Sequence, residues 1–310
     1  MLWQKGWRTR YTATPMKHIV LATLVALSLS TVATAAPDAP AGSPVVKLVD
    51  AGKGPKKQLR FTAKKGLSRS MIMTMKMGMA MSMGANSMPM QKLPLMKLTM
   101  DMKVTDVTAA GDIKYTFALK QPEVVADKDT PQAVIDAVKN ASKGMAGLTG
   151  YAVVTSRGFT KEADINVPKD ADPQMKQFMD SIKQSLYQIS APLPEEAVGV
   201  GAKWDTVMQL TQNGMTLDQT ATNELVDLKG DTGKLKLTLK QSAKPQKIAV
   251  NGMDVNVLSL ASNGSGETNL DFTRLVPSQA TVTLHSDLKM EAGGQKIGMQ
   301  MDLTMGLTSK

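Results

Sequence analysis

The chain has 310 residues, 42% of them hydrophobic, no cysteine, and a net charge of +10 from 37 Lys and Arg against 27 Asp and Glu. Without cysteine there is no disulfide framework, no acylated-cysteine anchor, no Cys nucleophile and no Cys-based zinc cluster. Only two histidines occur, His18 and His285.

The first 35 residues carry Lys5, Arg8, Arg10 and Lys17 with no acid, then a weakly polar-to-apolar run from Ile19 to Leu29, then Ala33-Thr34-Ala35. Basic, apolar and small residues in that order predict a secretory signal cleaved after Ala35. The apolar run is about half the ~20 residues that a membrane-spanning helix needs. The expected product is soluble in the periplasm or medium, without a stable membrane anchor. Met16-Lys17-His18 would also serve as a start, so translation from Met1 or from Met16 both remain open. Removing the four basic leader residues leaves 33 Lys and Arg against 27 acids, a net +6. The basic residues are spread along strand-like segments, and no aromatic stacking platform accompanies them, which argues against nucleic acid as a partner.

Residues 36–56 are rich in Pro, Ala and Gly and are expected to form a flexible linker. From residue 57 to 310 one antiparallel β domain is expected, because period two dominates. Every odd position from Met71 to Met83 is methionine, while Ile72, Thr74, Lys76, Gly78, Ala80 and Ser82 alternate with them. One face of that strand carries seven thioethers and the other is small or polar. The alternation recurs at Met96, Leu98, Met100, Met102 and Val104, at Tyr115, Phe117 and Leu119, and at Leu235, Leu237 and Leu239. A closing hairpin carries Val282, Leu284, Leu288 and Met290 into Gly293-Gly294, then returns through Ile297, Met299, Met301, Leu303 and Met305. Asn213-Gly214, Asn251-Gly252 and Gly264-Ser265-Gly266 read as further turns.

Between residues 130 and 190 the period changes. Asp129-Thr130-Pro131 offers a helix start before Val134, Ala137, Val138 and Ala141. Asp172-Pro173 does the same before Met175, Phe178, Met179, Ile182, Leu186 and Ile189. Tyr151–Ser156 and Phe159–Ile165 form a hairpin turning at Arg157-Gly158. The fold class is therefore mainly β (α+β): a curved antiparallel sheet or half-barrel with two helices from a central insertion. Residues 111–121 and 231–241 also resemble each other, each preceded by a Val/Leu and Asp step at 104–107 and 225–228, which suggests an internal duplication.

Three motifs carry a resemblance to known sequences: Arg60-Phe61 with Lys64-Lys65-Gly66 before the methionine strand, Val200-Gly201 with Trp204, and Gly293-Gly294-Gln295 with Met299 and Met301. Over residues 58 to 307 they resemble an uncharacterised secreted bacterial family known only as a domain of unknown function. The resemblance implies export and a fold type, and carries over no catalytic residue. A curved sheet wrapped around helices is also similar, by analogy, to the half-barrel lipoprotein carriers of bacterial envelopes.

Enzyme chemistry finds little purchase, and no cofactor is implied. His285 shares strand parity with Thr281, Thr283, Asp287 and Lys289, so it belongs to the polar face. The acidic pairs Asp227 with Asp231 and Glu195 with Glu196 sit in turn-like surroundings. Gly199-Val200-Gly201 leads into a strand, the wrong context for a phosphate loop.

The methionines remain. Met is flexible and has weak strand preference, so a seven-thioether face gives up side-chain entropy that Val or Ile would not. Plain core filling, a deformable wall for apolar ligands, a soft-metal site and an oxidant sink are all open readings. The leading functional expectation is a non-enzymatic envelope protein binding apolar, lipid-like molecules. Its cavity would be lined by Met73, Met77, Met81, Met100, Met102, Met299 and Met301, with Phe178 and Met179 on a lid helix. The alternatives are Cu(I) or Ag(I) binding through Met75, Met77 and Met79, and an interaction module with a methionine-rich core and no ligand.

Overall fold

The computed structural model describes residues 43–310, apart from residues 85, 129, 168–182, 184–191, 213 and 251–252. Alternating side chains pave opposite faces of each strand, and twelve strands form one continuous antiparallel ladder. In spatial order it runs β1 (Val45–Asp50), β11 (Lys203–Gln212), β12 (Met215–Lys229), β13 (Thr232–Ala243), β15 (Met253–Asp271), β16 (Gln279–Ala292), β17 (Gln295–Ser309), β3 (Ser68–Met83), β5 (Leu95–Val107), β6 (Ile113–Leu119), β8 (Thr149–Val154) and β9 (Thr160–Ile165). Three short strands join it from the side: β4 (Asn86–Lys92) on β3, β7 (Glu123–Val125) on β5, and β14 (Gln246–Val250) on β15. A separate ladder pairs β2 (Lys53–Gln58) with β10 (Ala197–Val200). The edge strands β1 and β9 do not pair with each other, so the sheet is open and not a closed barrel.

The sheet curls, and two neighbouring amides show it. Phe61 N donates to Ser156 O, just past β8, and Thr62 N donates to Phe272 O, just past β15. Six ladder steps separate β15 from β8, which in a flat sheet would be about 29 Å at ~4.8 Å per step. Adjacent residues can bridge them only because the sheet rolls at this end. The rolled end is filled by a core containing Leu59, Phe61, Val104, Ile113, Trp204, Leu225, Leu235 and Phe272. Pro192-Leu193-Pro194 is pinned into it: Trp204 Nε1 donates to Pro192 O (3.2 Å), Arg157 Nε to Leu193 O (3.0 Å) and Arg60 Nη1 to Pro194 O (3.0 Å). A second cluster of Met102, Phe117, Leu148 and Ile165 lies beside it, and a third, Leu217, Ala243 and Val257, involves β12, β13 and β15.

The two resembling segments occupy equivalent places. In β5–β6 the register shifts between Val104 and Asp106, and Asp106 pairs with Lys114. In β12–β13 it shifts between Leu225 and Asp227, and Asp227 pairs with Lys234. Each bulged strand is met by a glycine at φ near +85°: Gly66 N donates to Val104 O and Gly201 N to Leu225 O, at φ +88° and +84°. In return Val104 N donates to Leu67 O and Leu225 N to Ala202 O. The ladders β3-β5-β6 and β11-β12-β13 are thus one pattern used twice, with Arg69 standing where Trp204 stands in the other half.

Several expectations change. The linker expected over 36–56 ends early, because Val45–Asp50 pairs along β11 from Val45↔Val207 to Asp50↔Lys203. Gly52 and Gly199 allow this hairpin to sit backbone against backbone; a Cβ on Gly52 would lie 2.3 Å from Gly199 O. Gly264-Ser265-Gly266 is not a turn and lies inside β15, where Gly264 faces Leu239 and Leu284, and Gly266 faces Leu237 and Val282. Large neighbours fill the space that a side chain would take: a Cβ at Gly264 would come within 3.0 Å of Leu284. One α-helix, α1 (Gln132–Ser142), occurs among the described residues, with Pro131 itself at the N-cap and no side-chain cap. The second expected helix, near 172–190, lies outside the described residues except for Lys183, which is helical. No helix among the described residues is long and apolar enough to cross a membrane.

Candidate functional site

Register turns the methionine strand into part of a field. Met75 pairs with Met96 on β5 and Met305 on β17, and the same row continues through Val282, Gly266, Leu237, Asn223 and Trp204. Met77 starts another through Leu303, Leu284, Gly264, Leu239 and Ala221. In-register partners share a face, so this face is continuous across eight strands. It is not sealed. Met71 to Met81 are half-buried, and exposure rises away from the rolled end to 48% at Met83 and 52% at Met88.

The expected cavity residues fall as follows. Met73 lies between Leu98 and Leu307, Met77 beside Leu303, and Met81 between Met88 and Met299. Met301 pairs with Met79, and Met100 with Met71 and Leu119. These share one face and are half-buried. Met102 shares that face but is only 8% exposed, in the cluster with Phe117. Phe178 and Met179 lie outside the described residues. Among the soft-metal candidates, Met79 has one in-register thioether neighbour and Met75 has two, while Met77 faces Leu303.

Sequence alternation missed polar groups set into this face. Gln219, Gln241, Ser262 and Ser286 form one row that continues through Met301 to Met79, with Gln241 Nε2 donating to Gln219 Oε1 at 2.7 Å. Among the described residues three buried side-chain polar atoms lack a hydrogen-bond partner: Arg69 Nε, Thr206 Oγ1 and Ser262 Oγ. Strand parity places all three on the methionine-bearing face. Arg69 pairs with Met102, Thr206 with Ala221, and Ser262 with Ser286. The signal for them was available in the alternation, as polar residues at apolar-face positions.

Two clefts open along the surface. One of about 660 Å³ is bordered by Arg69, Met102 and Phe117 together with Asp101, Lys103 and Lys310. Another, of about 930 Å³, lies against the β1–β2 hairpin among Asp50, Lys53, Lys56, Lys57, Lys203 and Glu224.

The charged groups outside the apolar face form ordinary pairs. The Asp227 carboxyl is held below its usual range by the hydrogen bond from Lys229, and Glu267 by that from Lys234. Burial pushes the Tyr115 phenol up to about 12. His285 is on the polar face as its parity predicts, with Nδ1 2.6 Å from Asp302 Oδ1 and Nε2 3.2 Å from Asp287 Oδ2. No group of three or more His, Cys, Asp or Glu residues is arranged to hold a metal among the described residues.

A search among curated proteins finds no match. Residues 158–274, which run from the β8–β9 turn past the end of β15 and include Val200, Gly201 and Trp204, match the family described as "Family of unknown function (DUF6263)".

Proposed function

We propose that this protein is an exported, non-enzymatic binder of apolar, lipid-like molecules, and that the ligand lies along the methionine-bearing face of β3, β5 and β17. The observation that carries this reading is the half-open state of that face. The buried clusters form around residues such as Trp204, Phe117 and Val257, whereas Met71 to Met81 form none. A solid structural core would bury them. Flexible thioethers can repack around guests of different shape. Covering ~200 Å² of such a face contributes about 5 kcal/mol before ordering costs.

Native mass spectrometry of the protein purified from its own host, followed by organic extraction, tests the reading directly, with a hydrophobic small molecule as the expected finding. In parallel, Met77→Glu places a charge in the centre of the field and should weaken binding of a fluorescent apolar probe at least ten-fold. Unchanged probe binding would defeat the proposal.

A second reading, a soft monovalent metal site, is favoured by one specific feature. Met88–Met81–Met299 and Met96–Met75–Met305 are each three thioethers in register across three strands. Directly opposed Cβ atoms are about 4.5–5.5 Å apart, closer than the ~7 Å between i and i+2 along one strand. Cross-strand sets therefore suit Cu(I) or Ag(I) better than Met75, Met77 and Met79 of β3 alone. Thioethers have no proton to displace, so Ag(I) affinity should be flat from pH 5 to 8. A pH-dependent affinity would assign any silver binding to His285 or carboxylates instead.

A further inference from the structure

We propose that Arg69 anchors the anionic head of an amphiphile, a carboxylate or phosphate, whose chain lies along Met71, Met73 and Met75. The inference rests on the apolar-ligand reading and specifies the ligand's chemical class.

Arg69 opens β3 at the same parity as the methionines, and the pairing with β5 runs from Ser68↔Lys103 to Met75↔Met96 without a register shift. Its in-register partner is Met102, which is 8% exposed beside Phe117. A guanidinium therefore stands at the deep end of an apolar face. Its Nε is buried without a partner, while Nη1 only turns back to the carbonyl of Ser68 at 2.9 Å. No carboxylate pairs with it among the described residues. Asp101, next to its partner Met102 on β5, has the opposite parity and is held by Lys120 at 3.0 Å.

The duplicated half shows what a satisfied version of this position looks like. Trp204, the counterpart of Arg69, is 1% exposed and donates its Nε1–H to Pro192 O. The chain thus closes one copy of the position with an indole and leaves in the other a guanidinium whose Nε has no partner and whose Nη1 meets only the neighbouring carbonyl. Of the three orphaned polar atoms on this face only Arg69 carries charge, and its planar fork matches carboxylate and phosphate oxygens. At ~3.3 Å per residue, Met71, Met73 and Met75 lie within about 20 Å of Arg69 along the strand, the reach of an extended acyl chain.

The test compares dodecanoate, dodecyl phosphate and dodecanol on the whole protein by calorimetry, with Arg69→Met, which keeps an apolar stem, and Arg69→Lys. Wild type should bind at least one of the two anionic amphiphiles ten-fold or more tighter than dodecanol. Arg69→Met should abolish that preference while leaving dodecanol affinity unchanged, and Arg69→Lys should keep part of it. The ratio of dodecanoate to dodecyl phosphate affinity tells which head is preferred. Equal affinity for all three on wild type overturns the anchor but leaves the apolar-ligand reading standing, as does a preference that survives Arg69→Met. Failure of all three to bind removes both.

Discussion

The ring of Phe117 lies directly on Gly150: a Cβ built on the glycine would come within 2.5 Å of Phe117 Cζ and 2.3 Å of Asp164 O. The two are in-register partners on β6 and β8, and the ring is 8% exposed beside Met102. Gly150→Ala should therefore overpack the sheet and cost about 1–3 kcal/mol. The urea midpoint should fall at constant slope, and a midpoint equal to wild type would show that the ring moves aside freely.

Gly66 and Gly201 test the internal duplication. Both have φ near +85°, and neither has any atom within 4 Å of where a Cβ would sit, so an alanine there meets only backbone strain. Gly66→Ala and Gly201→Ala should each cost about 1–2 kcal/mol, and by similar amounts. A large loss at one glycine and none at the other would separate the two halves energetically.

His285 gives a pH signature. The hydrogen bond that its ring donates to Asp302 first, with the charge of Asp287 adding to it, raises its pKa above the ordinary 6.5. A raised folded pKa stabilises the native state fully below the unfolded value, and that contribution is lost as pH rises through the folded one. An NMR titration of the ring should find a midpoint above 6.5 that moves down in Asp302→Asn. A midpoint unmoved by that substitution would remove the pair as the cause.

Trp204 should matter beyond its own volume. It is 1% exposed and holds Pro192 O, one of three anchors on the Pro192-Leu193-Pro194 segment. Trp204→Ala should cost about 3–5 kcal/mol. Trp204→Phe loses the hydrogen bond, about 1 kcal/mol, together with part of the ring's packing, and should let protease reach residues 192–196 sooner. Equal cleavage rates in wild type and Trp204→Phe would argue against the tether.

Most of the sheet could be read from period two, because alternation reports which face is buried whatever the neighbouring strand is. The methionine strand, the Gly293-Gly294 hairpin and the polar placement of His285 all followed from it. Strand order did not, since nothing in the local pattern of β17 states that β3 is its partner. Gly264 and Gly266 misled because glycine marks turns and also marks strands that must make room for large neighbours; only the register distinguishes them. The β1 strand was hidden in a Pro- and Gly-rich context whose glycines serve a close backbone approach. Arg69 was legible by parity but looked like an ordinary polar residue at the mouth of a strand.

The position of β17 has a consequence for how the chain is made. It lies between β16 and β3, and its partners on β3 are more than 200 positions earlier, as in Met83↔Ile297. During synthesis the two flanking sheets can assemble from local hairpins, yet the seam between them waits for β17, which follows both in the chain. Until then β16 and β3 each present a raw edge, one of them studded with methionine, a state prone to sticking to other chains. Closing so long a loop is also slow, because its entropy is lost before the new contacts reward it. The seam is thus closed by a strand made after both of its partners, and a peptide copy of residues 295–309 supplied early would compete for it before the chain's own strand reaches it.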